Sequence, residues 1–398
     1  MEICDSDPAT INPAFKNSHR ILVCLRYGIG DVVMETPVLE TLRKASPQAT
    51  IVAMGVYPAL DLLRNDPRVD ILFDVKQWGL SHWYDWGNER IEQEIHTWLD
   101  ENRFDLILDI SHAIIAVRNA IWRYARATLL DTNIEAQDES LSKGEQGQGA
   151  LRRGIEYGWG LPVPSHLRPF IYPGEGALHF AGQFIMDNAL TDKRLAGASI
   201  EASSPLKQWP LERVTQVLNK TIKNSDVHIL LFAAPSDSQV YQLIRNIGKN
   251  RRHISLVKTE NLRNIAALLR QCNAFLCNDT GLMHMADAVG TPVTALFGPT
   301  HPALYLPAHA QAGAFGGWTI PCPYRKTTSF GPPLCICLGS CMIDSGSCID
   351  RESTVDIVAR EFKKIIDTSN EKKGHYDFKK STLSQPNTGS ERIGKSVF

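Results

Sequence analysis

Two α/β halves of the Rossmann type, facing each other across a cleft, are the architecture this sequence predicts. Three observations predict it. Short, continuously apolar runs alternate with longer amphipathic ones, as buried parallel strands alternate with the helices that cover them. The alternation runs twice, with a Pro/Gly-rich connection between the two stretches. The chain has 398 residues, more than one ordinary core encloses, so two domains is the natural count. Composition agrees, with 43% apolar and 21% charged residues. Lys and Arg total 42 against 43 Asp and Glu, a net charge of −1, which weighs against a protein that tracks a nucleic-acid backbone.

Taken in order, residues 21–25 (Ile-Leu-Val-Cys-Leu) read as a first buried strand, and Gly28-Ile29-Gly30-Asp31 as the turn after it. Val32, Val33, Pro37, Val38, Leu39 and Leu42 then form one apolar helix face, and Pro37 in its opening turns predicts a kink or a later start. Strands follow at 51–54, 71–73 and 106–110, with a long helix from about 113 to 130 and a polar surface loop over 132–149. Residues 161–176 are the Pro/Gly connection. The second half reads as strand 227–232, helix 236–247, strand 254–257, helix 262–269, strand 274–277, helix 281–289 and strand 292–297. The expected division is an N-terminal extension over 1–19, a first domain over 20–172, a second over 173–352 and a C-terminal helix over 353–368. Residues 369–398, rich in Lys, Ser, Asn and Gly, are expected to be a disordered tail. No apolar run approaches the ~20 residues of a membrane span. The opening residues carry Glu2, Asp5 and Asp7 and no basic n-region, so a cytoplasmic location is expected.

Three stretches carry chemistry. The turn with Gly28, Gly30 and Asp31 sits at the carboxyl end of the first strand, where open α/β sheets bind ligands, and Asp31 there is either a reactive carboxylate or a helix cap. Val33 stands where a dinucleotide fingerprint would need glycine. In Asn278-Asp279-Thr280-Gly281-Leu282-Met283-His284, the amides at a helix start offer an anion cradle, Thr280 adds a hydroxyl, and His284 follows one turn later. In the loop from Ser203 to Pro210, hydroxyls precede Lys207 and a proline, a pattern that suits phosphate oxygens, although a solvated lysine is the plainer alternative.

With the later Gly290-Thr291-Pro292 and Phe297-Gly298-Pro299-Thr300, these stretches follow one another in an order that resembles glycosyltransferase family nine, the ADP-heptose:lipopolysaccharide heptosyltransferases, over about 20–366. The resemblance implies a GT-B fold and an inverting transfer with no required metal or other cofactor. It implies a nucleotide-sugar donor, ADP-L-glycero-D-manno-heptose in that family, held mainly by the second half. Position by position it implies Asp31 as the catalytic base beside the acceptor-side loop of Gly28 and Gly30. Ser203 and Lys207 match donor-phosphate contacts, and Asp279, Thr280, Gly281 and His284 match residues lining the diphosphate and sugar. Asp237 falls where relatives hold the ribose with Glu, here without the accompanying glycines.

The expected function is therefore inverting transfer of heptose, or a related sugar, from an ADP-sugar to a lipopolysaccharide or other envelope glycan. The alternatives are another nucleotide sugar, a protein or natural-product acceptor, or a non-catalytic nucleotide-sugar-binding protein. Expected partners are the donor and a glycan or glycolipid acceptor, with membrane contact peripheral at most and no nucleic acid. On the acceptor side, Trp78, His82, Trp83, Tyr84 and Trp86 supply aromatic faces, and Arg118, Arg123, Arg126, Arg152 and Arg153 supply cations; each is equally a packing or helix-edge residue. Cys335, Cys337, Cys341 and Cys348, with Cys322 before them, do not have the spacing of a C-x2-C zinc pair. Free thiols or an opportunistic disulfide are expected there, and a four-cysteine iron site, as the resemblance places in protein-modifying relatives, is the alternative.

Overall fold

The first sheet is built from β1 (Arg20–Cys24), β2 (Thr50–Gly55), β3 (Ile71–Asp74), β4 (Leu106–Asp109) and β5 (Thr128–Asp131), in the order β3-β2-β1-β4-β5. The second is built from β6 (Arg194–Ser199), β7 (Val227–Phe232), β8 (Ile254–Val257), β9 (Ala274–Asn278), β10 (Val293–Phe297) and β11 (Gly313–Gly316), in the order β11-β10-β9-β6-β7-β8. Every pairing in both sheets is parallel. Helices cover both faces, which is why the central strands are apolar at successive rather than alternate positions. A small antiparallel hairpin, β12 (Arg325–Thr328) and β13 (Gly331–Cys335), stands apart. This computed structural model describes residues 11–82, 85–110, 114–131, 159–161, 168–223, 225–233, 238–307, 313–316, 322–328, 331–335, 341–342, 348–351 and 354–369.

The helices are α1 (Pro13–Asn17), α2 (Ile29–Ala45), α3 (Glu89–Asn102), α4 (Ile115–Tyr124), α5 (Glu175–Asp187), α6 (Leu211–Ile222), α7 (Ser238–Ile247), α8 (Leu262–Gln271), α9 (Gly281–Ala288), α10 (Pro302–Tyr305), α11 (Cys348–Arg351) and α12 (Val355–Thr368). The stretch expected as one helix over 113–130 instead divides into α4 and β5. After Ala125 the chain turns extended, and Thr128 to Asp131 pair with Leu106 to Asp109, extending the sheet by an edge strand. Tertiary pairing outweighs the helical reading of this stretch. Among the described residues no helix is long and apolar enough to cross a membrane.

Pro37 neither breaks α2 nor delays it. A proline cannot donate to the carbonyl four residues back, which orphans the Val33 C=O. The Thr36 hydroxyl takes over that carbonyl at 2.7 Å, and the helix runs on to Ala45. The same hydroxyl accepts the Phe170 N–H at 3.0 Å, on the segment that leads into the second half. Nearby, the buried Arg68 donates to Asp66 at 2.8 and 2.6 Å, to the Thr36 carbonyl at 3.1 Å and to the Phe170 carbonyl at 2.9 Å. The connection is therefore stitched to the first half before it enters the second. Trp159 and Leu161 pack in the first core, whereas Ile171 lies in the second.

The halves also share apolar packing. Val33 of α2 and Leu62 belong to the second half's core, and Ile29 packs against the cores of both. Arg263 of α8 bonds Asp61 at 3.2 Å across the junction. Within the second sheet, Gly197 faces Phe232 and Phe275, whose rings meet edge to face at 5.8 Å; a Cβ at 197 would come within 2.7 Å of Phe275.

Thr36→Val should lower unfolding free energy by about 1–3 kcal/mol, because the Val33 carbonyl and the Phe170 N–H both lose a buried partner. Urea unfolding measures it, and a loss under about 0.5 kcal/mol would show that the hydroxyl does not hold the proline turn and the connection together.

Candidate active site

In each sheet the strand order reverses beside one strand, and the loops leaving the carboxyl ends there define a crevice. In the first sheet that strand is β1; in the second the reversal lies between β6 and β9. Arg26 to Asp31, Glu201 to Lys207 and Asp279 to Gly281 all leave these ends, so the topology brings the three stretches singled out above to one place.

On the first half, Gly28 is the N-cap of α2 and makes no side-chain cap bond, with Asp31 in the first turn. The Asp31 carboxylate folds back over Gly28 so closely that a Cβ there would lie 2.3 Å from its Oδ2. Opposite, α9 begins at Gly281 with Thr280 as an N-cap that also makes no side-chain cap bond. The first amides of α9 are thus available to an anion. The two helix starts touch through their glycines. A Cβ at Gly30 would meet the His284 ring at 2.8 Å, and one at Gly281 would meet the Ile29 Cβ at 2.9 Å and the Gly30 nitrogen at 3.2 Å.

On the second half, Ser204 caps a short 3-10 turn, Pro205–Lys207. Lys207 Nζ donates to Asp279 Oδ2 at 2.7 Å, and the Thr300 hydroxyl donates to the same oxygen at 2.7 Å. Asn278, at the end of β9, accepts the Trp209 N–H at 3.2 Å and donates to the Ile200 carbonyl at 2.8 Å. One amide side chain therefore ties both ends of the lysine loop to the strand that carries the Asp279 turn. Gly298 lets that loop settle, since a Cβ there would lie 3.0 Å from the Leu206 carbonyl.

These groups line a single cleft of about 760 Å³, walled by Gly28, Asp31 and Pro58 from the first half and by Ser203, Lys207, Thr280 and His284 from the second. That volume suits a nucleotide-sugar-sized ligand. Phe232, Val257, Leu262 and Ile265 make one end apolar, with Thr259 and Glu260 beside them. Burial pushes the His284 imidazole below its ordinary value, although Asp279, Asp287 and Asp31 pull the other way, so it is neutral at physiological pH. Burial raises the Tyr305 phenol, helped by Asp279 and Asp31, and its ring centre lies 5.8 Å from Lys207 Nζ.

Behind the front wall lies an ion triad. Arg26 Nη1 approaches Asp31 Oδ1 at 3.3 Å, while Arg26 Nε donates to Glu35 Oε1 in a close contact and the Arg26 N–H reaches Glu35 Oε2 at 3.3 Å. Glu35 has 0% exposure. Burial drives its carboxyl up to about 7 despite the opposing Arg26 cation. Burial alone would lower the Arg26 guanidinium, but Glu35 and Asp31 outweigh it and hold it above its usual value.

Gly28, Gly30, Asp31, Ser203, Lys207, Asp279, Thr280, Gly281 and His284 all lie on this cleft. Asp237, Cys337, Trp83, Tyr84, Arg152 and Arg153 lie outside the described residues. Cys335 ends β13, Cys322 and Cys341 are part-buried free thiols, and Cys348 starts α11. On the acceptor side, Trp78 is a core residue, 4.8 Å from Phe73 and 5.7 Å from Trp98 between ring centres, and the His82 N–H donates to Asp85. Trp86 is 70% exposed. Arg118 faces Asp109 at 3.3 Å, Arg123 holds Glu92 at 2.6 Å, and the exposed Arg126 lies 3.9 Å from Asp100. Glu35, Tyr305 and the clasping role of Thr300 escaped the sequence reading; only the turn Gly298-Pro299-Thr300 hinted at the last.

Residues 176–331 match the model of glycosyltransferase family 9 (heptosyltransferase). Lipopolysaccharide heptosyltransferase 2 of Salmonella typhimurium is 29% identical over 316 residues, 74% of this chain and 86% of that protein. Lipooligosaccharide heptosyltransferase 2 of Haemophilus influenzae is 32% identical over 111 residues, so that alignment spans 27% of this chain and only 32% of the relative. Among solved structures, the ADP-heptose lipopolysaccharide heptosyltransferase II of E. coli aligns with TM-score 0.62 at 20% identity, covering 88% of this chain and 99% of that one. The shared architecture is the two-domain GT-B fold.

Gly281→Ala should lower unfolding free energy by about 1–3 kcal/mol, because the new methyl meets the Ile29 side chain and the Gly30 backbone and forces the two helix starts apart. Urea unfolding reads this, and wild-type stability would show that the close approach is not needed. A second expectation concerns pH. Glu35 holds a proton up to about 7 when folded, against 4.5 for an ordinary glutamate. A raised carboxyl contributes stability that is complete below the ordinary value and lost as pH rises through the folded one. Melting temperature should therefore fall between about pH 4.5 and 7 more steeply in wild type than in Glu35→Gln; equal slopes would mean that Glu35 is not buried as a titrating acid.

Proposed function

We infer that this heptosyltransferase-like glycosyltransferase of the family 9 type transfers a sugar, heptose or a close relative, from an ADP-sugar to an envelope glycan with inversion at the anomeric carbon. The observation that carries the reading is the convergence of Asp31 from one half with Lys207, Thr280, Gly281 and His284 from the other on a single cleft. A base and a phosphate grip contributed by opposite walls are what a direct displacement requires, since nucleophile and leaving group must approach the anomeric carbon from opposite sides.

In this reading the Asp31 carboxylate removes the proton of the acceptor hydroxyl as that oxygen bonds to the anomeric carbon. The bond from that carbon to the diphosphate oxygen breaks, and its electron pair leaves with the nucleoside diphosphate. Charge collects on the departing phosphate. Lys207, the Ser203 hydroxyl and the uncapped amides at Thr280 and Gly281 lie where they would receive it, strengthened by the helix dipole. Asp279 does not compete for that role as a bare anion, because its Oδ2 is already occupied by Lys207 and Thr300. His284 serves as a neutral wall and hydrogen-bonding group rather than a cation. Lys207 and the start of α9 are the sources of positive potential nearest the departing phosphate in the proposed step. The apolar end with Phe232, Val257 and Ile265 fits the nucleobase, and the neighbouring Glu260 fits its ribose.

Asp31→Ala should cut kcat for transfer from ADP-heptose to truncated lipopolysaccharide by about 10³-fold or more with little change in ADP affinity. Lys207→Ala should lose both, about 10²-fold in kcat and several-fold in ADP affinity. Steady-state kinetics paired with ADP titration measures the split. An Asp31→Ala enzyme with near wild-type turnover would end the base assignment.

A further inference from the structure

The cleft explains Asp31 but not why a fully buried glutamate lies behind it. Glu35 is one turn further along α2, on the helix face that turns inward, with 0% exposure and without a direct path to the cleft. Nothing in a transferase requires an acid there, and burying an ion without a use is expensive. Its contacts are specific. Oε1 takes the Nε of Arg26 and Oε2 takes the Arg26 backbone N–H, so both ends of that residue are fixed. What Glu35 leaves over is the Nη1 edge of the guanidinium, and that edge faces Asp31 at 3.3 Å, longer than a tight ion-pair hydrogen bond.

We propose that Glu35 is a positioning residue for Asp31, acting through Arg26: it clamps the guanidinium so that Asp31 is oriented by one loosely held nitrogen and remains a usable base. The inference deepens the proposed function and rests on Asp31 being the base. A guanidinium free to rotate would seize Asp31 with two nitrogens and hold its charge too tightly to accept a proton. With the clamp, one cation is shared between two carboxylates. The other groups facing Asp31 do not substitute for it. His284 from α9 is neutral, Tyr305 from α10 holds its proton, and Asp279 from the loop after β9 is committed to Lys207 and Thr300. Lys207 is turned toward Asp279 in the same contact. Asp287, on α9, joins Asp279 and Asp31 in acting on His284. Because burial brings Glu35's own titration to about 7, the sharing is complete above neutrality and fades below it, when Arg26 turns its full charge on Asp31.

The test is the pH dependence of kcat, with ADP-heptose as donor and truncated lipopolysaccharide as acceptor, in wild type and in Glu35→Gln, which keeps the shape and removes the charge. In wild type kcat should rise as pH passes through about 7 and Glu35 ionises. In Glu35→Gln that step should be absent, with kcat within about twofold of wild type at about pH 6 and several-fold below it at about pH 8. ADP affinity should stay within about twofold at both. Arg26→Gln/Glu35→Gln, which leaves no buried charge uncompensated, should also lack the step and serves as the second variant should the single one unfold. A step at about pH 7 that persists in either variant, or a Glu35→Gln rate equal to wild type at about pH 8, overturns the proposal. Failure of the base assignment looks different: Asp31→Ala would then turn over normally, whatever Glu35→Gln does to the pH profile.

Discussion

The molecule is organised around a contact between two helix beginnings that come from different halves of the chain. Helix starts expose unpaired N–H groups, and two of them facing each other would normally be kept apart by side chains and by their like partial charges. Here Gly30 and Gly281 remove the side chains, and Ile29 lies in the space so created, packing into both cores. The electrostatic penalty is met by carboxylates placed at the same spot, Asp31 folded over Gly28 and Asp279 just before Thr280. A small, crowded seam of this kind sets the distance between the walls of the cleft to within the size of a methyl group.

Once that distance is set, the charges on the two walls form a nearly balanced set. Arg26 is held between Asp31 and Glu35, and Lys207 between Asp279 and the ring of Tyr305. Each cation is thus oriented by a partner before any ligand arrives, which is the arrangement expected of a site that stabilises charge developing during a reaction instead of charge present at rest. The neutrality of His284 belongs to the same pattern. A third cation at that position would tie up Asp31 and Asp279 both, and burial in the seam prevents it.

Much of this was readable in the amino-acid sequence because it is written in local chemistry. The strands announce themselves as apolar runs such as Val227 to Phe232, all buried. The glycines and Asp31 stand at the end of a predicted strand, and Asp279 to His284 at the start of a predicted helix. What could not be read depends on distant partners. Pro37 suggested a kink or a later start because the rescue by Thr36 is a matter of rotamer and of Phe170, more than a hundred residues away. The piece of chain that became β5 carries too few residues to reveal a strand without β4 beside it. Glu35 occupies a position that helical periodicity assigns no special meaning, and its burial follows from a bond to Arg26 across a turn. Tyr305 belongs to a four-residue helix with no period to detect.

Asn278 has a consequence that reaches beyond its own hydrogen bonds. By joining the backbone at Ile200 and Trp209 to the end of β9, it makes the lysine loop and the Asp279 turn move as one piece. Every group that would grip the leaving phosphate then rides on a single half, whereas Asp31 rides on the other. In the proposed transfer the phosphate grip and the proton acceptor are in that sense mechanically separable: a small shift at the glycine seam would alter the reach of Asp31 while leaving the grip of Lys207 and the Asp279 turn intact.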